Sequence, residues 1–423
     1  MTRLLVLFVT AFVDMVGLAM IVPLLPFYAT EFGANATVVG VLVSAFSVAQ
    51  LAVAPVWGRF SDRYGRRPAI LAGLLISACA YVIFGFAGSV PVLLLSRLVQ
   101  GLGGGTIGVV QAYVADASPP EQRTKSLGWL SAVTSLGAVA GPAFGSAMIS
   151  LGGKSAPGLA SALLMFLIAG FAARFLAEPR ELKAGSQLTA SSTTPRQAIL
   201  RVLSHWREPA SRLIWIYAVG IGAFYGTIQV VPLLLMKRLD VSEHNIGYFV
   251  MYLGGMGVVV RSLLLGKAVD WLGEARLARL GMALLAAGLG CTGLATHPGL
   301  LFTGFTLMPL GTAFLFPCVT GLLSRVVAAN ERGLYMGVQH TVGGVSRVLF
   351  PVGSGLLMDR FGVGVPFWIS GLLVLAVLPF GWTLAYSVPP ESQATAAVRT
   401  VAAADITGEF PVERVVEQPR SSP

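Results

Sequence analysis

Ten residues, Gly58 to Arg67, set four arginines and one aspartate between two long apolar runs. A charge at the centre of a bilayer costs about 3 kcal/mol or more. The cluster therefore reads as a short loop on a membrane face, and its arginines assign that face to the cytoplasm. The pattern returns 208 residues later as Gly266-x-x-x-Asp270-x-x-Gly273. A second register agrees: Arg123, Gly128 and Pro142 recur as Arg332, Gly337 and Pro351, 209 residues on. Two similar halves in a membrane chain point to a transporter.

Composition supports the membrane reading. The chain has 423 residues, 55% of them hydrophobic and only 11% charged, where soluble domains carry about 25% charge. Mean hydropathy is +0.77. Apolar runs of span length fall near 4–30, 37–57, 68–88, 90–112, 125–150, 158–176, 213–236, 244–265, 277–296, 298–323, 334–358 and 364–386. The first run holds Asp14 and lacks a small-x-small cleavage site, so it reads as a span and not a signal peptide.

The net charge of +10 invites a nucleic-acid reading, but its distribution argues against one. With the N-terminus inside, 22 of the 29 Lys and Arg fall in cytoplasmic segments. Lys154, Lys237, Arg238 and Arg360 are external, and Arg97, Arg261 and Arg347 lie within spans. That bias places both termini in the cytoplasm of a cell-membrane protein. Cys79, Cys291 and Cys318 have neither disulfide-framework nor metal-ligand spacing and read as packing residues. Neither a cofactor nor a metal is expected.

The spans divide the chain into a six-helix bundle (1–176), a cytoplasmic linker (177–212), a second six-helix bundle (213–386) and a tail (387–423). Residues 184–195 are small and polar, a flexible-linker composition. Ile199, Val202, Leu203 and Trp206 then share a helical face, as in an amphipathic helix on the inner membrane surface. The tail is rich in Ala, Glu, Pro and Ser and reads as disordered.

Four sites carry chemistry. In the loop, Gly58, Asp62, Arg63, Gly65 and Arg66 are the gating candidates. The plainer reading is a topology signal alone. Arg97, in Leu93-x-x-x-Arg97-x-x-Gln100-Gly101-x-Gly103, needs a partner or water at membrane depth, or else snorkels to an interface. In Gly137-x-x-x-Gly141-Pro142-x-x-Gly145, small residues admit close helix packing and the proline kinks the helix. Asp14, followed by Gly17, Pro23 and Pro26, is the carboxylate placed well inside a span. Loss of water favours the neutral form of a carboxylic acid, so Asp14 is a candidate proton carrier. The alternatives are permanent pairing, neutralisation by Arg97, or neutralisation by a cationic substrate.

These four motifs resemble those of the major facilitator superfamily, and in particular its twelve-span drug:proton antiporters, which include tetracycline exporters. The resemblance covers residues 4–386. It implies an all-α multi-pass fold of twelve helices in two pseudo-symmetric halves. It implies proton coupling through Asp14 and Arg97, and gating by the loop with its second-half counterpart Asp270. It implies that Asp62 accepts hydrogen bonds at the positive N-terminus of span eleven near Gly333, with Arg63 and Arg66 pairing across the halves. The Gly-Pro motif of span five marks exporters in that family and lies between the halves; the usual final glycine is Ser146 here. Phe27, Tyr28, Gln111, Tyr225, Gln229 and Phe314 are cavity candidates, with core packing the default reading for each; His340 and Arg347 read equally as lining the interface or cavity and as a structural polar network.

Two apparent nucleotide motifs fail. Gly103-x-Gly105-x-x-Gly108 lies in an apolar span with no preceding strand. Gly152-Gly153-Lys154-Ser155 lacks the earlier glycine of a phosphate loop, with Met148 in its place. The reading is a monomeric, non-enzymatic transporter that exports drugs or amphipathic metabolites in exchange for protons. The alternatives are an uptake symporter for a polar solute and a non-transporting sensor.

Overall fold

The computed structural model describes residues 2–119, 122–178, 195–328 and 331–381. The expected flexible linker, the tail and the last residues of span twelve lie outside them. The first half holds α1 (Thr2–Ile21), α2 (Leu25–Glu31), α3 (Ala36–Tyr64), α4 (Arg66–Gly85), α5 (Val90–Gly104), α6 (Ile107–Asp116), α7 (Arg123–Gly152) and α8 (Ala156–Phe175). A connecting helix follows, α9 (Pro195–Ser204). The second half holds α10 (Pro209–Ile228), α11 (Val231–Leu239), α12 (Ile246–Leu263), α13 (Leu265–Leu272), α14 (Glu274–Leu294), α15 (Pro298–Val326), α16 (Arg332–Phe361) and α17 (Val365–Ala376). Among the described residues, eleven helical segments are long and apolar enough to cross a bilayer, and a shorter apolar helix covers Val365–Gly381.

Several spans are broken where the sequence weakens the helix. α1 gives way to α2 around Pro23 and Pro26. α5 and α6 part at Gly105 and Thr106. α10 and α11 part near Pro232. Proline lacks the N–H that an interior helical turn needs. Pro55, Pro142, Pro309, Pro317 and Pro351 nonetheless lie within continuous helices.

The arginine-rich segment is not a loop. Gly58 to Tyr64 form the last two turns of α3, and Arg66 already begins α4. Nothing in 58–64 stops a helix; Gly65 does, with φ of 103°, a conformation that costs side-chain-bearing residues. Likewise, Leu265–Leu272 around Asp270 is helical and ends at Gly273, φ 73°. The cost of charge in hydrocarbon requires these helix ends to lie beyond it.

Close backbone approaches bind each half. A Cβ added at Gly158 on α8 would lie 2.6 Å from Gly85 Cα on α4. The false dinucleotide motif is partly such a surface: a Cβ at Gly103 would meet Ser77 Oγ at 2.4 Å. Small residues are what let membrane helices pack in this way. Between the halves, α3 packs on α16, α7 on α12, and α2 on α11. The linker helix differs from expectation. α9 docks on α10 and α16, burying Ala198 and Val202, while Leu203 and Trp206 are half exposed. The α10 and α16 ends present a protein surface where the sequence suggests only a membrane.

Gly158→Leu should force α8 away from α4. Overpacking of this kind costs about 1–3 kcal/mol. A lower melting temperature of the detergent-purified protein is expected, and an unchanged one would contradict the packing.

Candidate functional site

A cavity of about 630 Å³ lies in the first half, walled by α1, α4, α6 and α7. Its polar groups are Asp14, Thr10, Thr106, Gln111, Ser131 and Thr134, set among Met15, Ile70, Leu74, Leu127 and Leu130. An amphipathic lining of this size suits a small organic molecule. Asp14 is half-buried on α1, with no ion pair among the described residues.

Arg97 does not snorkel. It is 2% exposed, lies over the Phe46 ring at 5.0 Å and donates through Nη1 to Gln100 Oε1. Its Nε and the Gln100 Nε2 find no partner among the described residues. Stacking on an aromatic face is one way to hold a buried guanidinium. Arg97 and Asp14 form no direct ion pair. Tyr81, buried on α4, is in electrostatic reach of Asp14, Gln100 and Arg97 alike. Neither Tyr81 nor Phe46 was a sequence candidate, because an aromatic residue in an apolar run carries no signal of its polar neighbours.

The Gly-Pro motif has two faces. Gly137, Gly141 and Gly145 press on α1 of the same half, where added Cβ atoms would lie 2.7 Å from Phe12 O, 2.7 Å from Val16 O and 2.3 Å from Met20 O. The other face meets α12. A Cβ on Gly247 would lie 2.0 Å from Pro142 O. Ser146, in place of the usual glycine, donates to Glu243 O at 2.8 Å and accepts from Gly247 N–H at 3.0 Å. The motif's glycines therefore bind its own half; Pro142 and Ser146 meet the other.

The arginine-rich segment pairs within its own half. Arg66 binds Asp62 at 2.7 Å and Asp116 at 3.2 Å. Glu178 accepts from the Arg66 and Arg67 N–H groups at 2.6 and 3.0 Å, capping α4. Arg63 lies by the Tyr64 ring at 5.3 Å. Among the described residues, the expected contact of Asp62 with the start of α16 is not formed, and neither is cross-half pairing by Arg63 or Arg66. Asp270 is exposed at the same end. Among the described residues, the hydrogen bonds joining the halves through Ser44, Ser146 and Asp359 all lie away from this end. Asp116 and Glu178 were not sequence candidates, because they lie 50 and 112 residues from Arg66 in the chain.

The remaining candidates scatter. Gln111 shares the Asp14 cavity. Phe27 and Tyr28 are buried at the far end and border a second cavity of about 670 Å³ with Glu31, Lys154, Asp240 and Glu243. Tyr28 stacks on Phe84 and donates to Lys154 O at 2.7 Å, so it serves packing. Phe314 is buried in α15, and Gln229 forms the C-cap of α10. In the second half, Arg347 lies 5.9 Å from the Tyr225 ring centre. His340 lies 6.3 Å from that of Tyr217, a residue that sequence reading missed. No group of three metal-ligating side chains occurs among the described residues.

Two helical halves, broken spans and an amphipathic intramembrane cavity define a membrane transporter. The chain belongs to the major facilitator superfamily, whose family model matches residues 7–291 and 262–421. It is 29% identical over 390 residues to multidrug resistance protein 2 of Bacillus subtilis (strain 168), covering 89% of this chain and 94% of that one. It is 25% identical over 374 residues to the class B tetracycline resistance protein of Escherichia coli, covering 87% and 91%. A bacterial homologue of the human lysosomal transporter Spinster, solved in an inward-facing, unoccupied conformation, matches with a TM-score of 0.76 at 15% identity. That match covers 92% of this chain and 98% of that one. The superfamily and these relatives are transporters, not enzymes, and the chain is a multi-pass membrane protein.

Arg97→Lys should lower transport by about tenfold at normal abundance, because an ammonium cannot combine planar stacking on Phe46 with a bond to Gln100. Initial transport rates normalised to membrane protein check this; a wild-type rate would show that the charge alone suffices.

Proposed function

We propose that the chain exports drugs or amphipathic metabolites in exchange for protons, by rocking of its two halves around a central cavity. One observation carries the reading. Asp14, an intramembrane carboxylate without an ion-pair partner among the described residues, lines an amphipathic cavity of about 630 Å³. A carboxylate there is costly when charged and unpaired, so it favours either a proton or a cationic substrate group. Exclusive occupancy of one carboxylate by the two is a simple basis for exchange. Similarity to multidrug and tetracycline resistance proteins supports export over uptake.

Arg97 acts with Asp14 through Tyr81 and Gln100. In this reading the Arg97 charge tunes the proton affinity of Asp14. Asp62, Arg63, Arg66 and Asp270 belong to the gate at the arginine-rich face, which the distribution of basic residues assigns to the cytoplasm. In that orientation the described hydrogen bonds that join the halves through Ser146 and Asp359 lie on the outer side, the arrangement expected of an inward-facing state. Gln111 contributes a polar contact to substrate. Tyr225, His340 and Arg347 offer a cationic and aromatic surface from the second half.

The deciding experiment uses an efflux-deficient host and a panel of amphipathic drugs. Expression should lower drug accumulation and raise tolerance; raised accumulation would instead mean uptake. In reconstituted vesicles an imposed pH gradient should drive drug movement through wild type. Asp14→Asn keeps the side-chain size but cannot titrate, and should lose gradient-driven transport by about 100-fold or more while retaining drug binding. Gradient-driven transport at the wild-type rate would place the coupling proton elsewhere. Tags at either terminus should be accessible only after permeabilisation, and labelling in intact cells would overturn the assigned orientation.

A further inference from the structure

The end of the molecule opposite the arginine-rich segment is joined by one carboxylate. Asp359, near the end of α16, directs both oxygens at the first turn of α3 in the other half. Its Oδ1 accepts from Ala36 N–H at 3.0 Å. Its Oδ2 accepts from Thr37 N–H at 2.8 Å and from Thr37 Oγ1 at 2.6 Å. Asn35 takes the next N–H, that of Val38, at 2.9 Å. A helix begins with N–H groups that have no partner within it, and with partial positive charge. Two of those groups in α3 are thus satisfied by the opposite half. The backbones touch along the same line. A Cβ at Gly355 would lie 2.2 Å from Ala36 O, and one at Gly40 2.3 Å from Pro351 O.

The sequence around Asp359 repeats the arginine-rich segment. Gly355-x-x-x-Asp359-Arg360-Phe361-Gly362 has the spacing of Gly58-x-x-x-Asp62-Arg63-Tyr64-Gly65. Both end in a glycine with φ of 103°, at the C-cap of a long helix. Gly153 and Gly273, with φ of 71° and 73°, end α7 and α13 in related turns. Each half therefore contains two copies of one three-helix unit, pointing to opposite faces.

Helix starts follow the same symmetry. At the closed end, α3 is capped by Asp359, and α12 receives Ser146 Oγ on Gly247 N–H. At the arginine-rich end, Gln122, the N-cap residue of α7, makes no side-chain cap bond. Asp62 is turned to Arg66 there.

We propose that Asp359 is a positioning residue of the transport cycle: a latch that closes the face opposite the arginine-rich segment by capping α3. It is the counterpart of Asp62, which caps α16 when the halves rock the other way. The proposal rests on the alternating-access reading above. Rocking that joins one pair of helix ends parts the other, so the two caps alternate. Breaking the Asp359 cap removes stability from one conformation only.

The test reads that equilibrium directly in the full chain, in lipid nanodiscs, with Cys79, Cys291 and Cys318 replaced by serine. Spin labels at Leu151 and Phe361 report the closed face, and labels at Lys125 and Trp271 the arginine-rich face; all four positions are exposed. Asp359→Asn sets an amide N–H against a backbone N–H of α3. Losing hydrogen bonds to a charged acceptor should shift the population by about tenfold or more. The 151–361 distance should lengthen and the 125–271 distance shorten. Thr37→Val keeps both backbone donors and should shift the same distances by about threefold; it decides the matter if Asp359→Asn does not accumulate. Distance distributions matching wild type in a folded variant overturn the latch, even if export is lost. If the variants show the shift but the wild-type chain moves no drug, the export reading falls and the latch stands.

Discussion

In hydrocarbon no water relieves an unpaired N–H or C=O, and the rest of this structure follows from that constraint. Among the described residues every span is helical, so interior backbone groups pair within their own segment. What cannot pair internally is concentrated at the helix ends, where the membrane faces lie. The ends are therefore where the molecule can be switched. Capping an end from the opposite half joins the two halves; leaving it uncapped, with water at hand, costs little. The Asp359 and Ser146 contacts use this, and they lie at one face.

The same solvent leaves no hydrophobic force to draw apolar helices together, so association rests on close contact. Glycines supply it. Gly137, Gly141 and Gly145 bring α7 against α1, which carries Asp14. The packing that builds the first half thus also sets the wall of the cavity. Gly40, Gly247 and Gly355 do the same between the halves, where backbone meets backbone at one face. No side chain stands between the backbones at these contacts.

Charges obey the constraint by two routes. The arginines of 58–67 leave the hydrocarbon because α3 and α4 extend past it. Arg97 stays inside and is held by the Phe46 ring and Gln100, with Tyr81 in reach of both Arg97 and Asp14. The sequence showed that Arg97 and Asp14 are costly, and costly residues in spans are functional candidates. It did not show their connection, because Phe46 and Tyr81 come from α3 and α4 and look like ordinary apolar-run residues. Phe27, Tyr28 and Phe314 pose the opposite problem. An aromatic in a span is consistent with both core and cavity; all three are buried, and Phe27 and Tyr28 also border the second cavity.

Hydropathy, the charge bias and the near-constant offset between halves were enough for a twelve-span, duplicated membrane chain, since span length and the cost of charge are properties of local sequence. The motif residues at 58–67, at 137–145, and at Asp14 and Arg97 were legible for the same reason. Tertiary structure alone decided which groups meet. It turned Asp62 to Arg66 and not to α16, divided the Gly-Pro motif between two partners, and docked α9 on protein. It also revealed Asp359 as a cap on a helix more than three hundred residues away in sequence. Its Gly-x-x-x-Asp-Arg-x-Gly pattern was present in the chain throughout. A pattern does not say which helix end lies opposite it; that depends on how two rigid halves are tilted, and their tilt is set by contacts between residues far apart in the chain.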